Sequence, residues 1–79
     1  MIPRLKNAKH VDGYCLWLEF ADGTESEIDL EDQLYGEVFE SIRDPETFKQ
    51  FRVHTELNTL TWPNGADFAP EYLYQAIAA

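Results

Sequence analysis

A strand with alternating bulky apolar residues, enclosed by two turn signals, most constrains how this chain can fold. From Tyr14 to Phe20 every second residue is large and apolar, and an Asp-Gly pair stands on either side of the segment. Because successive residues of a strand point to opposite faces of a sheet, this pattern predicts a β-strand with one buried face. Asp-Gly pairs favour tight turns, so the strand is expected to pair with both neighbouring segments in an antiparallel sheet.

The next strand, residues 24–30, decides the length of the second turn. Its apolar residues alternate with three acids, so each set occupies its own face. A two-residue turn would place the acids on the apolar face of the sheet, which burial disfavours. A three-residue turn formed by residues 21–23 places Leu16 opposite Ile28, and we expect Gly23 to adopt a left-handed backbone there.

The remaining segments complete an α+β fold. Three further strands are predicted at Leu5–Val11, Phe51–Thr55 and Thr59–Trp62. Short helical turns are expected from Glu31 onward, with a helix start at Asp44-Pro45-Glu46, and a last helix runs from Pro70 to about Ala78. Its predicted apolar stripe consists of Leu73, Ala76 and Ile77. The pattern indicates one domain over residues 1–79: an antiparallel sheet of about five strands, a three-stranded meander plus a hairpin, with short middle helices and the C-terminal helix packed on the sheet.

Charge and cysteine content exclude several classes of function. Fifteen acids stand against six bases, giving a formal net charge of −9. Such a surface repels phosphate, so neither nucleic acid nor an anionic membrane is an expected partner, whereas a basic protein is compatible. Cys15 is the only cysteine, which excludes an intrachain disulfide, and the N-terminal segment lacks the apolar stretch of a signal peptide. We therefore expect a cytoplasmic protein.

Several short blocks of the sequence carry a resemblance that covers nearly the whole chain. The chain resembles the bacterial family known as domain of unknown function 2442. The matching blocks are Leu18–Gly23, Ile28–Leu30, Asp44–Phe48, Trp62–Asp67 and Ala69–Tyr74. Members of that family usually stand alone, and some are encoded beside a second small protein, which implies a pairing like that of toxin and antitoxin. One departure is Ala69, where a serine is frequent; the change removes a helix-capping hydroxyl.

Four residues are candidates for contact with a partner. Trp62, Asn64 and Asp67 belong to the most specific block and would form a small recognition edge if displayed. The same block also suits a structural corner between strand and helix, in which Trp62 packs and Asp67 accepts bonds from local amides. Trp17 lies on the face of its strand opposite the apolar residues. If a helix leaves it exposed, it marks an interface, because tryptophan is enriched at binding hot spots.

No residue set with catalytic or metal-binding spacing is found. His10 and His54 are far apart in sequence and are expected to face solvent, and Cys15 is expected to be a buried thiol. The acids of residues 25–32 match no calcium loop and are expected to be solvated, with a docking surface for a basic partner as the alternative. The sequence predicts no cofactor, no metal and no catalytic residue.

Two classes of function remain open. The first is a non-catalytic protein-interaction module, the acidic member of a two-protein pair or a homodimer with Trp17 at its interface. The second is a small-ligand or sensor domain that uses a groove between the sheet and the C-terminal helix.

Overall fold

The predicted meander is present in the computed structural model, which describes residues 3–78. Strands β1 (Leu5–Asp12), β2 (Cys15–Phe20) and β3 (Glu25–Asp29) form an antiparallel sheet in the order β1-β2-β3. One face of β2 is buried, because its even-numbered residues are covered while its odd-numbered residues are half-buried. The alternation of apolar residues therefore does set which face of the sheet meets the core.

The register between β2 and β3 confirms the argument from parity. Leu16 lies opposite Ile28. At the turn, the Phe20 amide donates to the Thr24 carbonyl at 2.8 Å and the Gly23 amide donates to the Phe20 carbonyl at 3.0 Å. Gly23 has φ of +93°, the left-handed conformation that a three-residue turn of this kind requires.

Residues 31–48 form a series of short helical turns rather than one long helix. Two α-helical turns, α1 (Glu37–Glu40) and α2 (Pro45–Phe48), alternate with 3₁₀ turns at Glu31–Gln33 and Ser41–Arg43. Asp44 caps α2 as predicted, accepting from the Thr47 amide at 3.3 Å, and Pro45 occupies the first helical position. The Arg43 guanidinium donates to the carbonyls of Glu31 and Leu34, which fastens this segment together.

The five expected strands are present, but they belong to two sheets. Strands β4 (Arg52–His54) and β5 (Thr59–Thr61) form a separate antiparallel hairpin. The meander reaches it through a hydrogen bond from the Leu5 amide to the Asn58 carbonyl, 3.0 Å. β1 has irregular register beside Lys6 and Val11. Such bulges bend a strand and increase its twist, so β1 does not continue a regular ladder into β4 and β5.

The C-terminal helix α3 (Pro70–Ala78) packs on the core with a stripe that differs from the predicted one. Leu73 is buried and Ile77 is half-buried, but Ala76 is exposed. Tyr74 takes the third position instead, since its ring lies edge-on to Phe20 at 5.1 Å. A tyrosine covers more apolar area than an alanine, and its hydroxyl still reaches polar partners at the surface.

The core joins the two sheets, the middle segment and the C-terminal helix. Its buried apolar residues are Leu5, Leu16, Leu18, Phe20, Leu30, Leu34, Ile42, Phe48, Leu60, Trp62, Ala66, Phe68 and Leu73. Among the helices within residues 3–78, none combines the length and hydrophobicity that a bilayer-spanning segment needs.

Candidate functional site

Trp62, the most distinctive residue of the sequence, is part of the core. Its side chain is 3% exposed. The indole N–H donates to the Phe48 carbonyl at 2.9 Å, and the ring lies 5.8 Å from that of Phe48 and 5.9 Å from that of Phe68. The indole has a hydrogen-bond partner and aromatic neighbours within the chain, so Trp62 offers no surface to a partner.

Residues 62–67 make a corner that reverses the chain after β5. The Trp62 amide donates to the Ala66 carbonyl at 2.9 Å, and the Gly65 amide donates to the Trp62 carbonyl at 3.0 Å. Gly65 has φ of +90°, which favours glycine at that position. Asp67 is exposed and its backbone forms a bridge with Thr61. Among the hydrogen bonds within residues 3–78, its carboxylate accepts none, so the expected bonds to local amides are not formed.

Asn64 anchors the corner to the middle segment. Its amide nitrogen donates to the Val38 carbonyl at 2.9 Å and to the Ser41 hydroxyl at 2.6 Å. Its side-chain oxygen accepts from the Ala66 amide at 3.0 Å. Asn64 therefore fixes where α1 lies relative to the start of the C-terminal segment, and the side chains that α1 displays depend on it.

Four rings from the middle segment and the C-terminal segment form an apolar area, here called the aromatic surface. It consists of Tyr35, Phe39, Phe68 and Tyr72, which with Gln33 line a shallow depression of about 190 Å³. Phe39 lies 5.0 Å from Phe68, and Tyr72 is stacked on Phe68 with ring centroids 5.9 Å apart. Tyr35 is 72% exposed and Tyr72 is 38% exposed. The two tyrosines thus present exposed rings beside the half-buried Phe39 and the buried Phe68.

The sequence predicted no interaction role for Tyr35 or Tyr72. A usable signal exists for Tyr72: it adjoins Leu73 on α3, so a helix that buries Leu73 turns Tyr72 about 100° away from the core. No comparable signal marks Tyr35, which lies between the 3₁₀ turn at Glu31–Gln33 and α1.

Acids predominate in the stretches that supply the aromatic surface, although the Arg43 guanidinium lies next to it, 2.9 Å from the Leu34 carbonyl. No lysine or arginine occurs between Lys9 and Arg43 or after Arg52, and these two stretches contain all four rings. The exposed acids nearest to them in sequence are Asp32, Glu37, Glu40, Asp67 and Glu71. The two edges of the meander differ in charge. Bases lie along β1 and the residue before it: Arg4, Lys6 and Lys9. Acids lie along β3: Glu25, Glu27 and Asp29. All five acids singled out in residues 25–32 are exposed, as expected.

Trp17 lies on the outer face of the meander, away from the core cluster. It is half-buried, in a row with Lys9 on β1 and Glu27 on β3. The Lys9 ammonium lies 5.5 Å from the centroid of the indole. The aliphatic stem of a lysine covers apolar surface while its charge stays in water, so Lys9 shields part of the ring.

The two histidines are half-buried rather than solvent-facing as expected, and each serves its own turn. His54 Nδ1 accepts from the amides of Glu56 and Leu57 at 3.2 and 3.1 Å, which closes the β4–β5 turn. His10 Nε2 is 3.0 Å from the Gly13 carbonyl. One ring nitrogen of each histidine therefore already bonds to the local backbone.

Cys15 is half-buried instead of fully buried. Desolvation raises the pKa of its thiol, and the carboxylates of Asp29, Asp12, Glu27 and Glu31 raise that pKa further. A thiol in this setting stays protonated, which is the opposite of what a nucleophilic cysteine needs. Within residues 3–78, no three His, Cys, Asp or Glu side chains form a metal-binding group.

An open groove lies on another face of α3, between the helix and the β2–β3 turn. Its volume is about 600 Å³, and its lining includes Phe20, Asp22 and Tyr74. The Tyr74 hydroxyl donates to Asp22 Oδ2 at 2.6 Å, and the Thr24 amide donates to Asp22 Oδ1 at 2.9 Å. The bond from Tyr74, followed by those from Thr24, holds the pKa of Asp22 below its usual range.

Comparison with known proteins gives one finding. No curated protein and no solved structure matches the chain. A family model described as "Protein of unknown function (DUF2442)" matches residues 5–79. That range includes every element of the fold and each block that carries the resemblance described above. The chain therefore belongs to the DUF2442 family.

Proposed function

We propose that this chain is a non-catalytic protein-interaction module, the acidic member of a two-protein pair, and that it binds a basic partner through the aromatic surface. The observation that carries the proposal is the exposure of Tyr35 and Tyr72, 72% and 38%, beside a packed base of Phe39 and Phe68. Tyrosine and tryptophan anchors dominate binding energy at protein interfaces, particularly where a well-packed surround excludes water.

Charge supports a partner that presents lysine or arginine. The two stretches that supply the four rings contain no base, and exposed acids flank them. A cation placed over an exposed tyrosine contributes about 0.5–1 kcal/mol, and about 2 kcal/mol once water is excluded. The same charge distribution repels nucleic acid and anionic membranes, so neither belongs to the proposal. A cytoplasmic setting is proposed with it, since the chain relies on no disulfide.

The environments of Cys15 and His54, the side chains best suited to catalysis, support a non-catalytic role. Burial and neighbouring carboxylates raise the pKa of the Cys15 thiol, so it is a poor nucleophile at neutral pH. Nδ1 of His54 accepts two backbone amides, which leaves it unsuited to act as a general base. An enzyme needs a nucleophile, a base and a group that orients the base, and these residues do not supply such a set.

A second copy of the chain is the alternative partner, and it would use a different surface. Trp17 is half-buried on the outer face of the meander, with Lys9 over part of its ring. Pairing two such faces would bury the remainder of each indole and set the Lys9 of one chain against the acids of the other. This homodimer is compatible with a basic partner at the aromatic surface, because the two surfaces do not share residues.

Affinity purification from the native host tests the proposal. Three tagged baits are compared: the wild type, the double variant Tyr35→Ser/Tyr72→Ser, and Leu57→Ser. Leu57 is 50% exposed in the β4–β5 turn, so it controls for the loss of an exposed apolar side chain elsewhere. We expect the wild type and Leu57→Ser to retain the same basic protein in stoichiometric amount, and the double variant to lose it.

Circular dichroism and urea unfolding establish that all three baits are folded. If the double variant retains the partner as well as the wild type does, the aromatic surface is not the binding site. If the wild type retains no basic protein in stoichiometric amount, the proposed two-protein pair is wrong.

A further inference from the structure

The groove beside α3 has the size and lining of a small-molecule site. It is about 600 Å³ in volume, within the range of roughly 300–1,000 Å³ that ligand pockets occupy. Its lining is mainly apolar, and the Phe20 and Tyr74 rings meet edge to face at 5.1 Å. The residues that line it are Pro3, Arg4, Phe20, Ala21, Asp22, Asn58 and Tyr74. This surface does not overlap with the aromatic surface, so the inference goes beyond the proposed function.

The charged groups of the groove are not equally available. Asp22 already accepts the Tyr74 hydroxyl on one carboxylate oxygen and the Thr24 amide on the other. Arg4 is exposed, and among residues 3–78 its side chain has neither an ion pair nor a hydrogen bond. The lining also includes the Asp22 carboxylate, with which Arg4 forms no ion pair. Of these two charged side chains, Arg4 is therefore the one without a partner among the described residues.

The other bases show that this situation is uncommon in the chain. Lys6 pairs with Glu19 at 4.0 Å and Lys49 pairs with Glu46 at 3.9 Å. Lys9 lies over an indole, and Arg43 donates to two carbonyls. Within the described residues, only Arg52 shares with Arg4 the lack of a partner, and Arg52 does not line the groove.

We propose that the groove binds a small organic carboxylate with an aromatic body. The Arg4 guanidinium receives the carboxylate at the rim, since its paired N–H groups match the two oxygens of that group. The aromatic body lies across Tyr74 and Ala21, where apolar area is removed from water. The bonds from Tyr74 and Thr24 hold the Asp22 carboxylate in place, and it forms no ion pair with Arg4.

Three probes with the same aromatic body separate charge from shape: phenylacetate, phenylacetamide and phenethylamine. Each is titrated into the full chain while the amide resonances are followed by NMR. We expect phenylacetate to shift the amides of Ala21, Asp22 and Asn58 with a dissociation constant on the order of 1–10 mM, as for a ligand of this size. Phenylacetamide should bind roughly tenfold more weakly, because it lacks the charge-assisted bonds to Arg4.

The variant Arg4→Gln tests the assigned residue, and Arg52→Gln is its matched control. Arg4→Gln should weaken phenylacetate about tenfold and leave phenylacetamide unchanged, whereas Arg52→Gln should change neither. The inference is overturned if phenylacetate causes no shifts at these amides, if Arg4→Gln binds it as tightly as the wild type, or if phenethylamine binds best. None of these probes or variants involves the aromatic surface. A negative result in this titration therefore does not count against the proposed protein partner, and the absence of that partner does not count against the ligand site.

Discussion

Asp22 is a turn residue that also fastens the C-terminal helix. One oxygen of its carboxylate closes the turn through the Thr24 amide, and the other accepts the Tyr74 hydroxyl from α3. Both bonds favour the ionised form, and together they lower the pKa of Asp22. Part of the link between the β2–β3 turn and α3 therefore depends on one ionised side chain, beside the contact between the Phe20 and Tyr74 rings.

This link should make part of the stability depend on pH. Because the folded-state pKa of Asp22 is depressed, its contribution is complete above the unfolded value of about 3.9 and is lost as pH falls through the folded value. Tyr74→Phe removes the largest cause of the shift and should raise the pKa of Asp22 toward its ordinary value. NMR titration of the Asp22 carboxyl measures this directly. Tyr72→Phe is the control, and an equal rise in that variant would contradict the assignment.

Gly23 offers a test of backbone strain without steric contact. Its φ is +93°, and a Cβ added there would meet no atom within 4 Å. Gly23→Ala should therefore destabilise by about 1 kcal/mol, purely because an L-residue disfavours this conformation. Urea unfolding measures the change. A semisynthetic chain with D-alanine at position 23 is the matched control and should be at least as stable as the wild type; an equal loss in both would point to a contact instead.

At the scale of elements, the alternation of apolar residues predicted the strands and their register, but not how the strands divide into sheets or which residues of the last helix pack on them. The Leu16–Ile28 register followed from parity, because a one-residue slip would have buried acids. The division into two sheets could not be predicted, because the amino-acid composition around Lys6 and Val11 does not indicate the bulges found there. Tyr74 replaced Ala76 in the helix stripe because the neighbouring Phe20 ring offered a larger contact.

The aromatic surface was beyond prediction for a related reason. It joins two segments that are about thirty residues apart, and the contact that aligns them is made by an exposed asparagine. The block around Trp62 forms a corner, which is one of the two interpretations that the sequence left open. This block positions α1 through the hydrogen bonds of Asn64, and the spacing of residues in the sequence does not indicate that contact.

Asn64 should control the order of α1. Asn64→Ala removes donors to Val38 and Ser41 and the acceptor for the Ala66 amide, and we expect a loss of about 1–2 kcal/mol in the free energy of unfolding. Amide hydrogen exchange should rise in residues 37–41 more than in β2. Ser41→Ala removes one of these bonds and should have a smaller effect. Exchange that rises uniformly over the chain would show that Asn64 acts on global stability alone.

At the scale of the whole molecule, the proposed homodimer would form through the outer face of the meander, where Trp17 lies. Trp17→Glu should leave the fold intact, because the residue lies outside the core and Lys9 can pair with the new carboxylate. If the proposed homodimer forms, light scattering should show a dimer for the wild type and a monomer for Trp17→Glu. Val11→Glu changes another exposed apolar residue of the same sheet and should stay dimeric. A monomeric wild type at high concentration rules out this dimer.

Because the bases lie on β1 and the acids on β3, the molecule has an electric dipole across the sheet as well as a net charge. A separation of charge across one sheet acts as a permanent dipole, and the field of an approaching cation exerts a torque on it before any atoms touch. The acidic edge then turns toward that cation, which orients the chain before contact. At physiological ionic strength the field decays over about 8 Å, so this alignment occurs only in the last moments of approach. Added salt should therefore slow association much more than it speeds dissociation.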